Sequence, residues 1–135
     1  MPTRLKDTLE KVRKLDNKSN SDFLIEFYEY LKTVRISERY QSDILKVLVK
    51  FSEFIDDNLT SVRKKEQVLA FLNTKIKKRE EDPDERWITI WNDYLWRIKY
   101  FYRWFHNIKK NEDKEYFILS DISSWVLLHL FKSKK

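Results

Sequence analysis

The chain has 135 residues, 41% hydrophobic and 16% aromatic, a composition that argues against disorder even with 37% charged residues. A net charge of +6 and a pI of about 9.4 suit a polyanionic partner, nucleic acid first, and equally suit a protein that is merely basic. There is no cysteine for a disulfide framework or a thiolate zinc site, and no glycine for the positive-φ turns of hairpins and phosphate-binding loops. The expectation is one all-α domain, soluble and cytoplasmic. No run approaches membrane-spanning length, and the start Met1-Pro-Thr-Arg-Leu-Lys6 lacks an apolar leader segment.

Residues 1–18 alternate charges with Leu5, Leu9, Val12 and Leu15, a thin helical stripe that reads as a basic N-terminal arm or a short helix. Residues 19–135 read as the helical domain proper. Ser19 with Asp22 three residues on resembles a capping box. From there Phe23, Phe27, Tyr30, Leu31 and Val34 predict a helix over residues 21–35. Ser37 is the next N-cap, opening a helix to about residue 57 with Tyr40, Ile44, Val47, Leu48, Phe51, Phe54 and Ile55 inward. Arg39, Ser42, Lys46 and Lys50 form its basic side, bordered by Asp43 and Glu53. Such a stripe is as readily a solvated face as a ligand site.

A third helix is expected over residues 64–78, with Val68, Phe71, Leu72 and Ile76 inward. The acidic run that follows, Glu80-Glu-Asp-Pro-Asp-Glu85, is a helix start: Asp82 as N-cap, Pro83 at the first helical position and Glu85 three after the cap. A cap explains these carboxylates better than a divalent metal does.

Residues 86–107 are the centre of the sequence. Four of the five tryptophans lie there, among Arg97, Lys99 and Arg103. At about 100° per residue, Trp87, Ile90, Trp91, Tyr94, Ile98, Phe101 and Phe105 share one stripe. The other face carries Asn92, Trp96, Lys99, Tyr100 and Arg103. An asparagine amide pairs with adenine, lysine and arginine with guanine or phosphate, and an aromatic stacks or lies on sugars. The bland alternative for Trp96 is a neighbouring helix that covers it. Residues 116–131 are apolar on more than one face if helical, which suits a deep core position or a contact with another molecule.

Nothing here suggests chemistry. His106 and His129 stand far apart without a ligand spacing, and no acid–base couple or nucleophile motif is present. The chain taken alone is not expected to be an enzyme, and no cofactor, metal or small-molecule substrate is expected.

The order of the pieces resembles the N-terminal core-binding (SAM-like) domain of tyrosine recombinases, the phage-integrase family. Ser37-Glu-Arg-Tyr-Gln-Ser-Asp-Ile-Leu-Lys-Val-Leu-Val-Lys-Phe-Ser-Glu-Phe54 is similar to the family's Ser-opened helix with an aromatic-rich end. Lys65-Glu-Gln-Val-Leu-Ala-Phe-Leu72 resembles its third helix, and Ile98-Lys-Tyr-Phe-Tyr-Arg-Trp104 its Leu-Arg-x-Phe-Phe-x-Trp ending. The likeness spans residues 20–107, and the glycine-poor, lysine- and aromatic-rich style is closer to archaeal integrases.

The resemblance implies a four- to five-helix bundle forming one jaw of a clamp on double-stranded DNA. Carried over by position, Arg39, Ser42, Lys46 and Lys50 lie on one groove-facing helix, and Asn92, Trp96, Lys99, Tyr100 and Arg103 on the other. Residues 116–131 would correspond to a helix that meets other recombinase protomers. The family's catalytic arginine, His-x-x-Arg and tyrosine have no counterpart, so the catalytic domain is expected to be absent and the final Lys-Ser-Lys-Lys135 to begin a linker. The resulting expectation is a nucleoid-associated, non-catalytic DNA-binding domain with no membrane partner. The rival is a helical protein-interaction module using Trp96 and residues 116–131.

Overall fold

The computed structural model describes residues 2–62 and 65–108, and over these it is all α-helical. Five α-helices follow one another: α1 (Pro2–Arg13), α2 (Lys18–Thr33), α3 (Glu38–Ile55), α4 (Lys65–Asn73) and α5 (Arg86–Ile108), with a short 3-10 turn at Leu59–Ser61. Among the described residues there is no strand, and no helix is long and apolar enough to cross a membrane. The chain divides into two compact units, Met1–Val62 and Arg63–Lys135.

In the first unit α1 and α2 both pack on α3 and touch each other. Leu5, Val12 and Leu15 are buried, as are Leu24, Phe27 and Leu31 of α2 and Ile44, Leu45, Val47, Leu48 and Phe51 of α3. Each such side chain contributes about 1.5–3 kcal/mol when fully withdrawn from water. With a helix on each of two sides, α3 buries more than one stripe: Gln41, Ser42, Val49 and Ser52 are covered as well. Phe54, expected inward, is instead 45% exposed in the last turn.

Polar side chains set the ends of these helices. Asn17, not Ser19, caps α2: its side chain accepts a hydrogen bond from the Asn20 backbone N–H at 3.1 Å, and its Nδ2 donates to Asn58 Oδ1 at 2.9 Å. The second bond gives Asn17 an advantage that local spacing does not reveal. Ser37 caps α3 as expected, accepting from the Tyr40 N–H at 3.2 Å. Asn20 itself is fully buried. Its Nδ2 donates to Ser52 Oγ at 2.7 Å and to the Asp57 carbonyl at 2.9 Å, while its Oδ1 accepts from the Leu59 N–H at 2.7 Å. One amide therefore joins the start of α2, the end of α3 and the turn that follows.

Among the described residues, three outside the helix interiors take positive φ: Arg35 at 60°, Asp56 at 50° and Glu85 at 53°. A side chain in this region costs roughly 1–2 kcal/mol. A chain without glycine has to place such residues there.

In the second unit α4 packs on α5. The Phe71 and Tyr94 rings stack with centroids 6.0 Å apart, and the Trp91 Nε1–H donates to Asn73 Oδ1 at 3.2 Å. The α4 helix ends at Asn73, short of the expected residue 78, so Ile76 lies beyond it and is 42% exposed rather than inward. Asp82 does cap α5, but its Oδ2 accepts from the Trp87 N–H at 2.8 Å, and the positive φ of Glu85 puts the helix start at Arg86. Pro83 therefore sits in the preceding turn and not at the first helical position. On α5, Trp87, Trp91, Leu95, Ile98, Phe101, Tyr102, Trp104 and Phe105 are buried. Ile90, expected in that stripe, is 40% exposed. Residues 116–131 and His129 lie outside the described residues.

Asn20→Ala removes two donated bonds and leaves the buried Leu59 N–H without its acceptor. It lowers the stability of the first unit by about 3 kcal/mol in urea unfolding. A loss below about 1 kcal/mol would show that the amide is not what joins these segments.

Candidate nucleic-acid interface

The α5 helix presents Asn92, Trp96, Lys99 and Arg103 at spacings of four, three and four residues, which places them on one face over about 16 Å of helix. Asn92, Lys99 and Tyr100 are half-buried, Arg103 is exposed, and Trp96 is 50% exposed. Trp96 meets Tyr100 edge-on, with centroids 5.6 Å apart and planes at 88°. That contact orients the indole while leaving half of it at the surface. All five α5 residues singled out from the sequence thus form one continuous strip.

The strip is electrostatically strained. Partial burial pushes the Lys99 ammonium below the ordinary lysine value, and the neighbouring Arg103 guanidinium pushes it further in the same direction. The strip thus brings two cations near one another, one of them partly desolvated.

The α3 set divides. Arg39 and Lys50 are exposed and Lys46 is half-buried. Ser42 does not belong with them: it is fully buried, and its hydroxyl lies 2.7 Å from Thr8 Oγ1. Thr8 already donates to the Arg4 carbonyl at 3.0 Å, so Ser42 is the donor of the pair. The reason is α1, which lies over the side of α3 that periodicity alone leaves to solvent. Ser42 joins helices; it does not face a ligand.

Where α1 stops covering α3, a groove of about 550 Å³ opens, lined by Thr8, Lys11 and Lys14 of the α1 segment and by Lys46, Val49, Lys50 and Glu53 of α3. Lys11 and Lys14 were not singled out in the sequence. Their signal was present, since Thr8, Lys11 and Lys14 recur every three residues beside the Leu5–Val12–Leu15 stripe, but it acquires meaning only once α1 is docked. The α3 and α5 sets lie in different compact units.

Among the described residues no group of three or more histidines, cysteines or carboxylates gathers in a way that could hold a metal ion. His106 stacks on Tyr102, with centroids 5.9 Å apart, at the end of α5. Comparison of the chain with protein-family models, curated proteins and solved structures gave no match. The functional reading therefore rests on these side chains.

Lys99 binds its proton less tightly folded than unfolded. The contribution of Lys99 to stability accordingly rises as the pH climbs toward 10.5, where the unfolded chain still holds a proton that the folded chain has released. Arg103→Ala moves the Lys99 titration, followed by NMR of its Cε and Nζ, upward but not fully to the ordinary value, because burial remains. An unmoved titration would show that the two cations do not interact.

Proposed function

We propose that the chain is a non-catalytic DNA-binding domain of the tyrosine-recombinase (integrase) type, gripping core-site duplex DNA through the α5 strip and the lysines of α3. The observation that carries this reading is the α5 face itself: a half-exposed indole braced by Tyr100, flanked by an amide and by two cations, one of them partly desolvated. Lys99 and Arg103 suit phosphates or guanine edges, Asn92 suits adenine, and Trp96 suits a sugar or base face. The loose motifs over residues 20–107 and the net charge of +6 support the same reading. Ser42 drops out of the contact set because it is buried. Nucleoid association follows from the proposal, as do protomer contacts through residues 116–131.

The test is fluorescence anisotropy with a labelled duplex at low and moderate salt. Lys99→Ala/Arg103→Ala weakens binding roughly tenfold or more at low salt and makes the slope of log K against log salt shallower by about 2, one unit per lost phosphate contact. Unchanged affinity removes α5 from the mechanism. Absence of duplex binding together with self-association driven by residues 116–131 would favour a protein-interaction module, in which Trp96 is a protein contact.

A further inference from the structure

We infer that Lys11 and Lys14 of the α1 segment, together with Lys46 and Lys50 of α3, hold the backbone phosphates of bound duplex DNA in the groove between the two helices. The inference rests on the DNA-binding reading and deepens it: the N-terminal segment joins the α3 lysines in one phosphate-holding groove.

The groove exists because of how α1 docks. Leu5, Val12 and Leu15 are buried and the Thr8–Ser42 hydroxyl pair locks the register against α3. That register carries Lys11 and Lys14 to one wall, while Lys46 and Lys50, one helical turn apart, form the other. The lining holds four lysines and the single carboxylate of Glu53, while Asp16, Asp56 and Asp57 line the adjoining hollow beyond Lys14 and Glu53. Val49, 6% exposed, gives the groove an apolar patch along which the lysine stems can lie while their ammonium groups reach outward. Four like charges around one opening attract a row of anions.

The dimensions favour a strand of phosphates over one small anion. From Lys46 to Glu53 the α3 wall runs for about 10 Å, whereas a DNA strand carries one charge per about 3.4 Å of helix axis. Along the inclined strand itself successive phosphates are about twice that far apart, so a strand following the groove brings about two phosphates to the lysines. Lysine suits this task, being a flexible point charge that takes a phosphate at many angles and reads no sequence. The groove therefore contributes affinity and salt dependence, and leaves base readout to Asn92, Lys99 and Arg103.

The experiment compares four variants of the full chain with the unmodified protein by anisotropy of one labelled duplex across a salt series. Lys11→Ala/Lys14→Ala is expected to weaken binding roughly tenfold at low salt and to make the salt slope shallower by about 2. Lys11→Arg/Lys14→Arg keeps the charge and binds like the unmodified protein. Glu53→Gln removes the one carboxylate of the groove lining and tightens binding about two- to fivefold at low salt, a gain that misfolding cannot mimic. Lys99→Ala/Arg103→Ala reports on α5 separately. Lys11 and Lys14 are exposed, so helicity and melting temperature stay unchanged in the alanine pair.

If the alanine pair binds with unchanged affinity and slope while Lys99→Ala/Arg103→Ala is weakened, the groove is overturned and the α5 reading stands. If the unmodified chain binds no duplex even at low salt, both are overturned. An affinity for Glu53→Gln equal to or below that of the unmodified protein also overturns the groove.

Discussion

Asn20 has two amide hydrogens and one carbonyl oxygen inside the first unit, and each has a partner: Ser52, the Asp57 carbonyl and the Leu59 N–H. A buried amide left incomplete is expensive, whereas a completed one admits a single arrangement of the segments around it. Through it the start of α2 is tied to the end of α3, and α3 is the helix on which α1 also lies. The Asn17–Asn58 bond strengthens the same junction. The position of α1, and hence of every lysine on the groove between α1 and α3, depends on α3 being held there.

The second unit solves a similar problem with rings and one carboxylate. Asp82 caps α5 at Trp87, Asn73 takes the Trp91 indole hydrogen, and Phe71 stacks on Tyr94, with the Lys75 ammonium 5.2 Å from the Tyr94 centroid. With Trp87, Trp91, Leu95, Ile98 and Phe101 buried, the register of α5 is set by its apolar side, and the face bearing Asn92, Trp96, Lys99 and Arg103 follows from it. Partial burial, and after it the neighbouring Arg103 guanidinium, lowers the proton affinity of Lys99 on that face. In each unit, apolar packing and a few satisfied polar groups hold positive side chains close together.

What periodicity could reveal depended on how many neighbours each helix has. The α5 strip was legible because five side chains at helical spacing need only one helix to bring them together. Ser37 was legible because its bond to the Tyr40 N–H is local. Ser42 was not: on an isolated α3 it lines up with Arg39, Lys46 and Lys50, and only the docking of Thr8 shows that it is interior. The choice of Asn17 over Ser19 also depended on a distant residue, Asn58. Pro83 was misplaced because Glu85, in a chain without glycine, turns through positive φ and starts α5 at Arg86. Phe54 and Ile76 lie in the last turn of α3 and beyond the end of α4, where a helical pattern persists in sequence after the partner helix has gone.

The most direct measurement is a two-dimensional ¹H–¹⁵N spectrum of the tryptophan indole N–H groups during titration with a short duplex. Trp96 is half-exposed on the proposed contact face, whereas Trp87, Trp91 and Trp104 are buried and Trp91 Nε1 is bonded to Asn73. The account predicts that the Trp96 signal shifts progressively and saturably while those three stay in place, and that added salt reverses the shift. A Trp96 signal that stays fixed while the protein binds DNA, or one that shifts only on self-association without DNA, would contradict it.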